Sequence, residues 1–132
     1  MLKRSITYVD YNDKERTEDF YFNLSNAELT EMEFSHVGGL DKTIEKIIET
    51  KNNKELIILF KDLVLSAYGE KTEDGRRFVK SQEVRDRFAQ SEAYSVLFME
   101  LATDENKAAE FVNAIVPKGK TDKVIPVPQP VL

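Results

Sequence analysis

The chain has 132 residues, of which 41% are hydrophobic and 33% charged, and its formal net charge is -5. This composition is typical of one soluble domain with a buried core, and it excludes a chain that is disordered over most of its length. The absence of cysteine excludes disulfides and thiol nucleophiles and favours an intracellular compartment. We expect no membrane span and no secretory signal, because no apolar run is long enough for either.

Two segments near the N-terminus alternate apolar and polar residues, as half-buried strands do. The apolar members share one face in each segment, namely Leu2, Ile6 and Tyr8 in the first and Phe20, Phe22 and Leu24 in the second. Turn-forming residues lie between them at Asn12-Asp13-Lys14. The pattern therefore predicts a β-hairpin over residues 2–24. A lone hairpin is only marginally stable, so we expect helices to cover its aromatic face.

The residues after the hairpin predict five or six helices. The first begins at Ser25-Asn26-Ala27-Glu28, a capping box in which each end residue can accept the other's backbone N–H. A second is predicted from about Asp41 to about Asn52-Asn53. Residues that favour the N-cap position indicate three later starts, at Ser81, at Ser91 and at Thr103 or Asp104.

The third predicted helix runs from about Lys54 to Tyr68, with Gly69 as its expected stop. It is apolar nearly all round. A helix of this kind is usually buried on every side, so we expect it in the middle of the fold. After it, Asp74-Gly75 predicts a turn that closes a small hairpin against Phe78-Val79.

The predicted fold class is therefore α+β, with an N-terminal β-hairpin packed on five or six helices in a single domain over residues 1–116. All 4 prolines lie in residues 117–132, which we predict to be a flexible tail. Val124, Ile125 and Val127 are β-branched residues within this tail. An extended apolar segment can add to a sheet edge or lie in a groove of a partner, so these three are candidate partner contacts. A frayed terminus is the alternative.

Patterns that carry catalysis or bind a cofactor are missing from the sequence. The single histidine, His36, precedes Gly38-Gly39 at a predicted helix end, where a structural role is expected. The glycine pair lacks the other residues of a phosphate loop. The aromatic residues recur at strand or helix spacing and are expected to form the core. Five cations between Gly75 and Arg87 give a local excess of positive charge, but a solvated surface explains them better than a nucleic-acid site.

Several stretches, in their order along the chain, resemble a family of small proteins from bacteriophages with long noncontractile tails, the tail assembly chaperones. The likeness covers about residues 3 to 117. It is carried by residues 20–25 (FYFNLS), 66–71 (SAYGEK), 75–78 (GRRF), 91–104 (SEAYSVLFMELATD) and 109–112 (AEFV).

The resemblance implies a protein without catalytic activity or cofactor that acts in the host cell cytoplasm. Its implied partners are the tape measure protein and the tail tube protein, which it would bind during tail assembly and leave before the virion is complete. The alternative is a virion component, such as a neck, tail completion or tube-associated protein. An enzyme is the third class, and no small-molecule substrate, nucleic acid or membrane is an expected partner.

Overall fold

The computed structural model describes residues 1–34 and 53–116 of the chain. Within these ranges it contains an antiparallel sheet with the strand order β1-β2-β3-β4 and five helices, which confirms the α+β class. The elements are β1 (Leu2–Val9), β2 (Glu15–Phe22), α1 (Asn26–Phe34), α2 (Asn53–Ala67), β3 (Tyr68–Lys71), β4 (Phe78–Val79), α3 (Gln82–Ala89), α4 (Glu92–Ala102) and α5 (Glu105–Ile115).

Some predictions lie outside the described residues. They concern the helix predicted from about Asp41, the role of His36 and Gly38-Gly39, the flexible tail, and the candidate contacts Val124, Ile125 and Val127.

The N-terminal hairpin is confirmed. β1 and β2 pair along their whole length, from Leu2↔Phe22 to Val9↔Glu15. The turn is held by Asp10, whose carboxylate accepts the backbone N–H of Asn12 at 2.8 Å and of Lys14 at 3.0 Å. Asp13 adopts a φ of 62°, which an aspartate tolerates better than most residues.

The two faces of the hairpin differ in chemistry. Ile6 of β1 and Phe22 of β2 point toward the helices and are buried. The opposite face is exposed and polar, with Ser5 hydrogen-bonded to Asp19 at 3.0 Å and Thr7 to Thr17 at 2.9 Å. Because the side chains on this second face bond to one another, it needs no covering layer.

Gly69 does not end a helix as predicted. α2 ends at Ala67 and the chain continues directly into β3, where Gly69 pairs with Tyr21 of β2. A Cβ at position 69 would come within 2.7 Å of the Phe78 ring, so glycine allows the close approach of β4. The predicted small hairpin is confirmed as β3 and β4, with Gly75 at a φ of 73° in its turn.

The core between the sheet and the helices is built on aromatic rings. The Phe22 side chain is completely buried, and its ring centroid lies 5.2 Å from Phe111 of α5 and 5.6 Å from Phe88 of α3. Tyr68 of β3 stacks on Phe88 with 4.3 Å between centroids. The prediction that the aromatic residues form the core is confirmed for Phe22, Tyr68, Phe88 and Phe111. Phe20, Phe60 and Tyr94 are partly buried and pack against that core.

The prediction that the apolar helix, here α2, lies in the middle of the fold is wrong for its first half. Val64 and Leu65 near its end are buried, but Ile57 and Ile58 are 50% and 49% exposed. The direct continuation of α2 into β3 brings only the end of the helix to the core. The helix that packs along β1 is instead α4, through buried residues that include Ala93 and Leu97.

These packing differences predict unequal effects of shortening two phenylalanines. Phe22→Ala should lower the free energy of unfolding by about 3 to 5 kcal/mol, because it opens a cavity in the centre of the core. Phe60→Ala should cost clearly less, since Phe60 is only partly buried and lies 6.3 Å from the Phe98 ring. Urea unfolding followed by circular dichroism measures both, and equal losses would contradict this account of the core.

Candidate partner-binding surface

The start of α1 is fixed to the rest of the domain by a partly buried network of polar contacts. As predicted, Ser25 and Glu28 form the capping box, with backbone-to-side-chain distances of 2.9 and 3.1 Å. The Lys80 ammonium donates to the other Glu28 oxygen at 2.7 Å and to the Asn23 carbonyl at 2.5 Å. Lys80 follows β4, so these bonds join α1 to the junction between β4 and α3.

The same contacts set the charge state of Glu28. Burial opposes ionisation of its carboxyl group, but the hydrogen bonds from Lys80 and Ser25 outweigh burial and hold the pKa of Glu28 below its ordinary value. The carboxylate therefore stays charged at neutral pH.

Two adjoining clefts lie beside this network, and both are lined by Glu28 and Ser66. The first, about 360 Å³, is lined by Leu24, Glu28, Glu31, Met32 and Ser66. The second, about 220 Å³, has Lys80, Arg85 and Tyr68 among its lining residues. Burial raises the pKa of Tyr68 to about 12, so its phenol remains protonated and does not act as a base near neutral pH.

Two exposed isoleucines on α2 extend its apolar faces beyond the buried core. Ile57 and Ile58 precede Val64 and Leu65 by two helical turns, so each pair lies on one face of the helix. Those faces are buried at Val64 and Leu65 and exposed at the isoleucines. We call Ile57 and Ile58 the α2 stripe.

Charged residues of both signs border the α2 stripe. Lys54 and Glu55 precede it and Lys61 and Asp62 follow it, and all four are exposed. Asp62 pairs with Arg85 of α3 at 3.7 Å. An apolar centre with a polar rim is the usual anatomy of a protein interaction surface. The arrangement therefore offers apolar surface that apolar side chains of another protein could cover.

No three histidine, cysteine or acidic side chains in residues 1–34 and 53–116 are grouped as they would be around a metal ion. In the same ranges, no helix combines the length and the apolar composition needed to span a bilayer.

Sequence reasoning missed the α2 stripe because it assigned the whole helix to the core. A signal was present: charged residues occur in α2 only up to Asp62, and the last turns carry none. This asymmetry indicates that only the C-terminal part of α2 is fully buried.

Comparison with known protein families identifies the family of this chain. A family model described as phage tail assembly chaperone matches residues 1–124. The chain belongs to this family. The resemblance found in the sequence is thus confirmed, and the match includes every strand and helix described above. Comparisons with curated proteins and with solved structures find no match.

The Glu28 contacts predict how the stability of this tail assembly chaperone depends on pH. A carboxyl group whose pKa is lower in the folded than in the unfolded chain stabilises the fold above its ordinary pKa, and this contribution disappears as the pH falls through the folded pKa. Glu28→Gln should therefore destabilise the protein by about 1 kcal/mol at pH 7, because it weakens a charge-assisted bond to Lys80. The difference should vanish at a pH well below the ordinary glutamate value of 4.5.

Urea midpoints measured from pH 7 to pH 3 test this prediction. Glu31→Gln, an exposed position on the same helix, controls for the loss of one negative charge. A constant difference between Glu28→Gln and the unmodified protein at every pH would show that the carboxylate contributes no such stabilisation.

Proposed function

We propose that this chaperone binds apolar segments of the tape measure protein and the tail tube protein in the host cell cytoplasm and releases them before the virion is complete. Binding alone would perform this function, without catalysis and without a cofactor. The family match supports an assembly role, and the α2 stripe supports contact through apolar side chains.

The observation that carries the proposal is the exposure of Ile57 and Ile58. Half-exposed isoleucines on a helix whose C-terminal part is buried leave apolar surface in water, and such patches commonly mark interaction sites. An amphipathic helix of a partner could cover Ile57 and Ile58 and so extend the core past Val64 and Leu65. The charged residues around the α2 stripe would keep the unbound chaperone dispersed.

The α2 stripe can be tested by co-purification. Replacing Ile57→Ser and Ile58→Ser together should weaken binding to the tape measure protein by tenfold or more. The expected loss is about 2 kcal/mol, since each isoleucine has roughly half of its surface left to bury. Co-expression in the host, affinity capture and titration of the purified pair measure the change.

Val9→Ser is the matched control, because Val9 is 52% exposed but lies on the hairpin, away from α2. It should leave binding unchanged. Equal loss in both variants would point to general destabilisation, and undiminished binding by the double variant would exclude the α2 stripe as the contact.

The composition of finished particles separates the proposed role from that of a virion component. Mass spectrometry of purified virions should find the protein absent, while lysates collected during assembly should contain it with the tape measure protein. Stoichiometric amounts in purified virions would instead identify a structural component such as a neck or tail completion protein.

A further inference from the structure

β1 forms one edge of the sheet, and half of its backbone groups face away from β2. The Asp10 N–H bonds to the Lys14 carbonyl at 2.8 Å, which fixes the alternation along the hairpin. Arg4, Ile6 and Tyr8 therefore bond to β2, whereas the N–H and C=O groups of Lys3, Ser5, Thr7 and Val9 point outward. No strand of the described part of the chain lies beside this edge.

α4 runs beside β1 in the opposite direction and exposes apolar side chains there. The Tyr11 hydroxyl donates to Glu92 at the start of α4 at 3.1 Å, and Arg4 pairs with Glu100 near the end of α4. Val96 lies one turn from each glutamate, on the same side of the helix. Val96 is 40% exposed, and the neighbouring Met99 is 56% exposed.

The C-terminal segment has the pattern of a strand that can pair on one side only. Its prolines alternate at positions 126, 128 and 130. In an extended chain the N–H and C=O groups of alternate residues point to the same edge, so these prolines remove the donors from one edge. Ile125, Val127 and Gln129 keep their donors on the other edge. Such a strand can complete a sheet without offering a new edge for further pairing.

The fold places the start of this segment within reach of β1. α5 ends at Ile115, whose carbonyl accepts the Leu24 N–H at 2.8 Å, two residues beyond the Phe22↔Leu2 pair. From Val116 to Ile125 the chain extends at most about 30 Å. A parallel strand would begin beside the Leu2 end of β1, and reaching that end uses only part of this length. An antiparallel strand would begin beside Val9, and reaching that end requires a straight, fully extended connection.

We propose that residues 124–130 of this chain pair with the free edge of β1 as a fifth, parallel strand that caps the sheet. In a parallel pair, a residue that bonds to its neighbour lies level with a residue that bonds away from it. Ile125 and Val127 would thus lie level with the β1 residues whose backbone groups bond to β2. Their side chains would lie on the helix side of the sheet near Val96, and the prolines would lie on the solvent side. An antiparallel strand would reverse these faces.

Amide hydrogen exchange of the full chain, measured by NMR, tests the pairing. The N–H groups of Ser5 and Thr7 should exchange about tenfold or more slowly in the unmodified protein than in Val127→Pro, which removes a donor from the pairing edge. Val124→Pro is the matched control, because it makes the same change on the edge that already lacks donors, and it should leave the protection intact. The N–H groups of Arg4 and Ile6, which bond to β2, report that the hairpin is folded in every variant.

Fast exchange at Ser5 and Thr7 in the unmodified protein, or protection that survives Val127→Pro, would overturn the proposal. Protection that grows with protein concentration together with a dimeric mass would assign the strand to a second copy and overturn pairing within the chain. Protection that develops only after a tail protein is added would assign the edge to that partner, with the same consequence.

Because the chain has no cysteine, cross-linking between introduced cysteines provides a second measurement. It does not depend on introducing a proline. A short bis-maleimide should link the pair Val96→Cys and Val127→Cys within a monomer. The pair Val96→Cys and Pro128→Cys should link far less, because position 128 would face the solvent side. Equal cross-linking of the two pairs would contradict the parallel strand.

Discussion

The ring of Phe88 packs against four other aromatic rings, and these contacts hold the strands and helices in one body. Phe22 reaches it from β2, Tyr68 from β3 and Tyr94 from α4, so a single cluster fixes three elements relative to α3. Aromatic pairs of this kind contribute buried area and prefer particular ring orientations. The first half of α2 lies beyond the buried core, which is why its isoleucines keep contact with water.

The elements that could be predicted from the sequence are those whose signals are local. Ser25 and Glu28 lie within one helical turn, and Asp13 and Gly75 lie in the turns that need their backbone freedom, so the capping box and both hairpins follow from short stretches. The pairing of Gly69 with Tyr21 depends on residues far apart in the chain, and no local pattern specifies it. The burial of a helix is likewise a tertiary property, and apolar composition alone placed all of α2 in the core.

The candidate site was less predictable than the fold for a related reason. Interior residues and partner-binding residues are both apolar, so Ile57 and Ile58 cannot be distinguished from Val64 and Leu65 by type. The structure separates them by exposure. In the described part of the chain, the hydrogen-bonded pairs Ser5–Asp19 and Thr7–Thr17 also make the other face of the hairpin mainly polar.

The bond from the Leu24 N–H to the Ile115 carbonyl has a consequence for biosynthesis. It joins the end of the first hairpin to the last turn of the last described helix, and Phe111 from that helix covers the innermost ring of the hairpin. On the ribosome, the hairpin must therefore wait until α5 has emerged before its packing is complete. Messages truncated within α5 would yield products in which Phe22 lacks its contact with Phe111, and such incompletely packed chains are open to cellular proteases.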